Sequence, residues 1–336
     1  MLKAAVIGLG SMGRNHARVC RELEGVELCG VVDVNEALAA RVGTTYAAPR
    51  FASVAQLVET AKPDLVSIAV PTEHHFDVAI QCMEHGVSVL IEKPIASTVE
   101  QGEQLIALAA KQGVQLAVGH IERFNPAVME LRRRLDEGMA GRVYQVQTRR
   151  LSPYPARIRD AGVVLDLASH DIDLMRYLIG EPVERLFGET ASAINSDRED
   201  IFNGLMRFRG GAVAVLDVNW VTPKKVRQLT ITGARGLFDC NLLSQELFFH
   251  ENESAPSQWD QLSMLRGVSE GNVIGLRIIR HEPLMAELRD FTDAVREGRP
   301  PTVTGHDGVE TLRLAREFMR SARALKVQAH EGKPPA

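Results

Sequence analysis

A chain of 336 residues has room for two domains with well-buried cores. With 45% hydrophobic and 24% charged residues and a net charge of −4, its balance is globular and offers no basic face to nucleic acid. Four cysteines without CxxC spacing read as free thiols of a reducing compartment; the apolar start, Met1 to Gly10, is too short for a membrane span and lacks a signal-peptide cleavage pattern, so a cytoplasmic protein with no membrane partner is expected.

Lys3-Ala-Ala-Val-Ile7 is a short apolar run that leads directly into Gly8-Leu-Gly10-Ser-Met-Gly13. A helical pattern follows from about Arg14 to Leu23, and a second strand pattern, Val26 to Val32, ends at Asp33. Strand, glycine turn, helix, strand and acid in this order predict a dinucleotide site. Gly8 permits the tight turn, Gly10 lets backbone approach a pyrophosphate, and Gly13 allows close helix packing. The helix N-terminus at Ser11 and Met12 offers N–H groups and a partial positive charge. Asp33 would accept hydrogen bonds from the adenine-ribose hydroxyls, and neither Val34 nor Asn35 can receive a 2′-phosphate, which favours NAD over NADP.

The alternation continues. Asp64 to Val70 reads as a buried strand, followed by the loop Pro71-Thr72-Glu-His-His75 and a helix from Phe76 to His85. Val87 to Ile91 is the next strand and ends in Glu92-Lys93-Pro94; a helix over Val99 to Gln112 and a strand over Val114 to Val118 follow. Such repetition predicts a doubly wound parallel sheet, with ligands beyond the C-terminal ends of its strands. The glycine turn, Asp33, Pro71, Thr72, His75, Glu92 and Lys93 all fall there. A lysine before proline is, alone, an ordinary solvated charge. Its place beside the expected nicotinamide end makes Lys93 a candidate for chemistry.

After Gly119-His-Ile-Glu-Arg-Phe-Asn-Pro126 and a helix over Ala127 to Leu135 the pattern changes. Strand patterns run Val143 to Arg150, Arg185 to Ala193, Ile201 to Phe208, Ala212 to Asn219, Val226 to Thr232, Leu237 to Cys240 and Glu246 to His250. Hairpin signals at Arg209-Gly-Gly211 and Gly233-Ala-Arg-Gly236 predict a largely antiparallel open sheet. Glu253 to Gly275 reads as a long loop, Pro283 to Val295 and Gly308 to Leu325 as closing helices. The expected organisation is an α/β Rossmann domain at 1–120, an α+β domain at 121–327, and a disordered tail at 328–336.

Within the second domain, Gly162 to Ile179 reads as one helix stopped by Gly180 and Pro182. At helical spacing Asp166, His170, Asp173 and Tyr177 share a narrow stripe, whereas Asp171 falls toward the apolar side, where periodicity gives it no role. The stripe suits general acid–base chemistry, a divalent metal held at i, i+4 and i+7, or a capped helix with a satisfied histidine. Upstream, Arg149, Arg150, Arg157 and Arg159 have no acid among them, and Pro153 and Pro155 stiffen the segment around Tyr154. This is either an exposed basic loop or a diphosphate site, for which the guanidinium fork is well shaped. In the second case Arg157 and Arg159, nearer the helix, are the ones expected to meet the diphosphate.

These pieces together resemble the Gfo/Idh/MocA family of oxidoreductases over nearly the whole chain. The marks are Gly8-x-Gly10-x-x-Gly13, Pro71-Thr72 with His75, Glu92-Lys93-Pro94, Asp166-x-x-x-His170-x-x-Asp173 and Gly305-x-Asp307-Gly308. The resemblance implies NAD as cofactor, no metal, Lys93, Asp166 and His170 around the reacting carbon, and an open sheet that builds homodimers or homotetramers. It also implies that Arg123, Asn125 and Asp173 serve the substrate. One departure is Asp160-Ala-Gly-Val163, where many members carry a Gly-Gly-Gly run. Within the family, the segments 119–128 and 157–173 look most like UDP-N-acetylglucosamine 3-dehydrogenases, which oxidise the sugar 3-hydroxyl to a ketone.

The expectation is therefore NAD-dependent oxidation of a nucleotide sugar. His170 is the preferred base because imidazole titrates near neutrality, Asp166 orients it or grips a neighbouring hydroxyl, and Lys93 holds the substrate oxygen. Lys93 is the alternative base if burial lowers its pKa. Competing readings are an inositol or free-sugar dehydrogenase, a non-catalytic NAD-binding regulator, and a metal-dependent hydrolase.

Overall fold

The structure is a computed structural model, and it describes residues 1–155, 162–194, 198–253 and 270–329. In chain order the first elements are β1 (Leu2–Ile7), α1 (Ser11–Glu22), β2 (Val26–Val32), α2 (Glu36–Tyr46), β3 (Arg50–Phe51), α3 (Val54–Thr60), β4 (Leu65–Ile68), α4 (His75–Glu84), β5 (Ser88–Glu92), α5 (Val99–Gln112) and β6 (Leu116–Gly119). Their six strands form one parallel sheet in the order β3-β2-β1-β4-β5-β6. The order reverses between β1 and β4, and that reversal opens a crevice at the strands' C-terminal ends.

Local sequence explains the boundaries. Val6 and Val31 are buried strand residues, as the two-faced burial of a parallel sheet requires. Asn35 and Ser53 cap α2 and α3 by accepting from Leu38 N and Gln56 N, and Thr98 with Gln101 forms a capping box on α5. Helices α2 and α3 and strand β3 had no counterpart among the elements expected from the sequence, although the caps Asn35 and Ser53 were there to be read. Helix α1 begins at Ser11 rather than Arg14, because the glycine turn itself supplies its first turn. Strand β6 begins at Leu116 rather than Val114, since Val114 N still bonds back to Ala109 O past the left-handed Gly113.

The second set of elements is α6 (Pro126–Asp136), β7 (Val143–Leu151), a π-helical turn (Val164–Ala168), α7 (Ser169–Ile179), β8 (Val183–Ala191), β9 (Ile201–Phe208), β10 (Val213–Asn219), β11 (Val226–Gly233), β12 (Gly236–Asn241), β13 (Glu246–Asn252) and β14 (Glu270–Leu276). Helices α8 (Pro283–Glu297) and α9 (Gly305–Ala329) close the chain. The eight strands order as β14-β13-β12-β11-β7-β10-β9-β8, antiparallel except for the parallel pair β7 and β10. Period-two alternation divides the two faces. Met206, Ala214, Val146, Ile231, Phe238 and Phe249 sit opposite one another in a buried row, with Phe202 edge-on to Phe318 of α9 in the same core. The alternate row carries Phe187, Leu205, Val215, Gln147 and Thr230 on the other face. Part of the loop expected at 253–275 is strand β14, whose Leu276 and Ile274 pair with β13; residues 254–269 lie outside the described part. Helix α9 runs to Ala329 and so takes in the first two residues of the tail expected at 328–336; the rest of that stretch, 330–336, lies outside the described residues.

The chain forms two compact units: Met1–Phe124 with His281–Arg313, and Asn125–Arg280 with Leu314–Ala336. The sequence suggested a single change of domain at 120/121. In the structure residues 281–313 return to the first unit, because α8 buries Leu284, Leu288 and Phe291 in the core shared with Leu23 and Val26. All four cysteines are free and buried, and burial pushes the Cys20 and Cys82 thiols up to about 12 and Cys29 to about 11. Among the described residues no helix is long and apolar enough to cross a membrane.

Candidate active site

The glycine turn joins β1 to α1 under tight steric limits. Gly8 has φ +84°, and a Cβ there would lie 2.6 Å from Ala69 O at the end of β4. A Cβ on Gly13 would lie 1.7 Å from Gly8 O, so only glycine lets helix and turn approach this closely. A Cβ on Gly10, by contrast, would meet nothing within 4 Å, and Gly10 caps α1 with no side chain bonded to the first N–H groups. Ser11 and Met12 are exposed in that first turn. An uncapped helix N-terminus beside open space is the cradle a pyrophosphate needs. Asp33 is held at the end of β2: its Oδ2 accepts from Leu9 N at 2.6 Å and its Oδ1 from Asn35 N at 2.7 Å. Each oxygen retains a further lone-pair direction, so the carboxylate can still accept from a ribose diol. These residues fit a dinucleotide cofactor.

At the end of β5 the Glu92 carboxylate is fixed from several sides. His16 Nε2 lies 2.9 Å from Glu92 Oε1, and Ser67 Oγ on β4 lies 2.7 Å from His16 Nδ1. Glu92 Oε2 accepts from Lys93 N at 3.3 Å. Burial would raise this carboxyl, but the hydrogen bond and charge of His16 and the charge of Lys93 hold it below the usual carboxylate range. On the other side of Lys93, Pro94 O lies 2.8 Å from His75 Nδ1, while Val70 O lies 2.9 Å from His75 Nε2. Burial lowers the His75 imidazole below its ordinary range. His75, expected to touch the cofactor, is buried with both ring nitrogens turned to backbone carbonyls; it ties the β4 and β5 loops together. Pro71 is exposed and Thr72 half-buried in the β4 loop, with Thr72 O accepting from Ser97 Oγ at 3.5 Å.

In the second unit, Asp166 lies in the π-helical turn and His170 in the first turn of α7, both half-buried. The π turn closes through Ser169 N to Val164 O, and Glu199 stands at its start, accepting from Val163 N at 3.0 Å through its backbone and from Val164 N at 3.4 Å through Oε1. A Cβ on Gly162 would lie 2.1 Å from that Oε1, which explains a glycine here. The uniform helical stripe is thus interrupted between Asp166 and His170. Asp173 is buried, and the Tyr177 ring lies 5.4 Å from the Arg132 guanidinium carbon. Asp171, without a role in the periodicity, pairs with Arg150 of β7 at 2.9 Å, the two side chains 1% and 4% exposed. A buried acid on an apolar face was the signal for such a partner.

Two residues expected at the substrate have structural partners. Arg123 pairs with Asp307 at 3.0 Å and donates to Thr302 O; burial works against the Asp307 carboxylate, but Arg123 and Thr304 keep it below its ordinary range. Asn125 caps α6, its Oδ1 accepting from Ala127 N and its Nδ2 donating to Leu242 O. Of the four arginines, Arg149 pairs with Asp217 and Arg150 with Asp171, while Arg157 and Arg159 lie outside the described residues. Among the described residues no group of three or more His, Cys, Asp or Glu is arranged to hold a metal ion.

Residues 2–120 match the model of the GFO/IDH/MocA oxidoreductase family, an NAD-binding Rossmann fold, and residues 128–239 match the GFO/IDH/MocA C-terminal domain. The chain is 32% identical to UDP-N-acetylglucosamine 3-dehydrogenase of Acidithiobacillus ferrooxidans, a match covering 96% of this chain and 98% of that protein. It is 26% identical to scyllo-inositol 2-dehydrogenase (NAD(+)) of Bacillus subtilis, over 93% and 92% of the two chains. A solved structure of the Acidithiobacillus ferrooxidans enzyme superposes with a TM-score of 0.86 at 29% identity, covering 96% of this chain and 98% of that one. GenD2 from gentamicin A biosynthesis, in complex with NAD, gives 0.80 at 26% identity, over 96% and 94%. Both family models matched in order, and a relative this similar across both units, establish that the chain belongs to the Gfo/Idh/MocA family of oxidoreductases, with an NAD-binding Rossmann domain at its start.

Proposed function

We propose that this protein oxidises a sugar hydroxyl to a ketone with NAD, and that the sugar is the 3-position of UDP-N-acetylglucosamine. The observation that carries the reading is the 32% identity to a UDP-N-acetylglucosamine 3-dehydrogenase over 98% of that enzyme, unbroken across both units. Inositol dehydrogenases that match over nearly the whole chain are less similar, at 26% and 23% identity, and one that reaches 32% does so over only 54% of this chain.

Bound NAD supplies the hydride acceptor. The remaining work falls to this chain's own groups. Lys93 hydrogen-bonds the substrate oxygen and stabilises the negative charge it develops as its proton leaves. His170 takes that proton, and Asp166 orients the imidazole or holds a neighbouring hydroxyl. Asp33 accepts from the ribose diol and repels a 2′-phosphate, which favours NAD over NADP. Arg157 and Arg159 are assigned to the diphosphate, since Arg149 and Arg150 already have carboxylate partners. The exposed sheet row with Phe187 and Leu205, both 46% exposed, is assigned to self-association as a homodimer or homotetramer.

The test is isotopic. UDP-N-acetylglucosamine deuterated at C3 should give deuterated NADH and a nucleotide sugar lacking the label. Turnover with unlabelled NADH would place the oxidation at another carbon, and no turnover would remove this substrate.

A further inference from the structure

Ser67 and His16, both buried, and the half-buried Glu92 form a chain of polar groups drawn from β4, α1 and β5, against an otherwise apolar core. Ser67 and His16 are both 0% exposed. Packing does not call for them: His16 shares its helix face with Gly13, Ala17 and Cys20, where an apolar side chain would bury equally well. A buried polar chain confers orientation instead, because each member has one arrangement that satisfies its neighbours. The direction of donation follows from the acceptor at its end. An ionised Glu92 can only accept, so His16 Nε2 carries a proton and donates to it, while Nδ1 on the other side of the ring shares a hydrogen bond with the Ser67 hydroxyl, which can donate or accept. Ser67 therefore anchors the far side of the ring, and the anchored ring holds the carboxylate. The carboxylate's second oxygen accepts from Lys93 N.

We infer that His16, supported by Ser67, is a positioning residue for Lys93: it holds the Glu92 carboxylate, and Glu92 fixes where the neighbouring lysine stands. This rests on Lys93 being the group that binds the substrate oxygen. His75 grips the far side of the same loop through Pro94 O, so Lys93 lies between two residues each held by a buried histidine. Misplacing a reacting group by about 1 Å costs on the order of 100-fold in rate. A small shift of Glu92 is enough to matter.

The experiment compares His16→Leu, His16→Gln, Ser67→Ala and Lys93→Met in the full chain, with UDP-N-acetylglucosamine and NAD. Gln can present an amide N–H near the position of Nε2, so it retains the donor to Glu92. His16→Leu should lower kcat by about 100-fold, while the KM for the sugar and the Kd for NAD stay near wild type. His16→Gln should recover most of the lost kcat. If His16→Leu does not fold, Ser67→Ala carries the test, with kcat expected to fall roughly tenfold at unchanged NAD affinity. Wild-type kcat in folded His16→Leu or in Ser67→Ala overturns the inference. So does a rise in the Kd for NAD in step with the fall in kcat, which would mean that His16 serves α1 and the cofactor. Failure of Gln to recover kcat in a folded protein also overturns it. Wild-type kcat in Lys93→Met would instead sink the reading of Lys93 itself, whatever His16 does.

Discussion

The glycine turn of the first unit and the π turn with α7 in the second, the two regions to which the proposed reaction assigns its groups, are built in different ways. From Gly8 to Asp33 every constraint is local: a left-handed φ, a helix start, and an acid at a strand end that reaches back to Leu9 N. In the second unit the helix that carries His170 is set by partners distant in sequence. Arg150 of β7 holds Asp171, and Glu199 holds the first N–H groups of the π turn. Backbone-limited sites declare themselves in short motifs. Sites held by long-range side-chain pairs reveal only that a residue is out of place.

The largest effect should come from the reacting groups of each region. Lys93→Met and His170→Ala should each lower kcat by about 10²–10⁴-fold, with the Kd for NAD near wild type by titration. A large loss in one and none in the other would assign the chemistry to a single unit. Next is the anchor of α7. Asp171→Ala leaves a buried Arg150 without its carboxylate and should destabilise the second unit by about 3–5 kcal/mol, read from urea unfolding. Replacing both residues together, Arg150→Met with Asp171→Leu, should restore most of that stability. A double variant no better than Asp171→Ala would show that the pair does more than satisfy itself.

Legibility followed the same division. The Rossmann order, the parallel sheet and the open antiparallel sheet were readable because burial period and turn residues are properties of neighbouring positions. Asp33, Lys93, Asp166 and His170 stood out as acids, a base and a cation at strand or helix ends. His16 did not, since a histidine on a buried helix face looks like core until Ser67 and Glu92 are brought beside it. Arg123, Asn125 and His75 were expected to meet ligands, and each has a backbone or carboxylate partner that only the fold supplies. The π turn was invisible because its wider closure leaves no mark in composition.

Smaller effects sharpen the comparison within the cofactor and substrate ends. Asp33→Ala should weaken NAD by about 10- to 100-fold, the worth of one or two charge-assisted hydrogen bonds, and change NADP far less; isothermal titration with both cofactors checks it. Arg157→Ala should raise the KM for UDP-N-acetylglucosamine about tenfold. Arg149→Ala, whose side chain is 49% exposed and paired with Asp217, should alter neither KM nor stability by more than about 1 kcal/mol. Equal effects from the two arginines would remove the distinction between diphosphate site and surface pair.

The most direct test of the central claim is a steady-state comparison of UDP-N-acetylglucosamine, free N-acetylglucosamine and myo-inositol with NAD, followed by NADH absorbance. A site that binds the diphosphate through arginines should give the nucleotide sugar a kcat/KM at least about 100-fold above either free compound. Equal or better efficiency with myo-inositol or free N-acetylglucosamine would contradict the account.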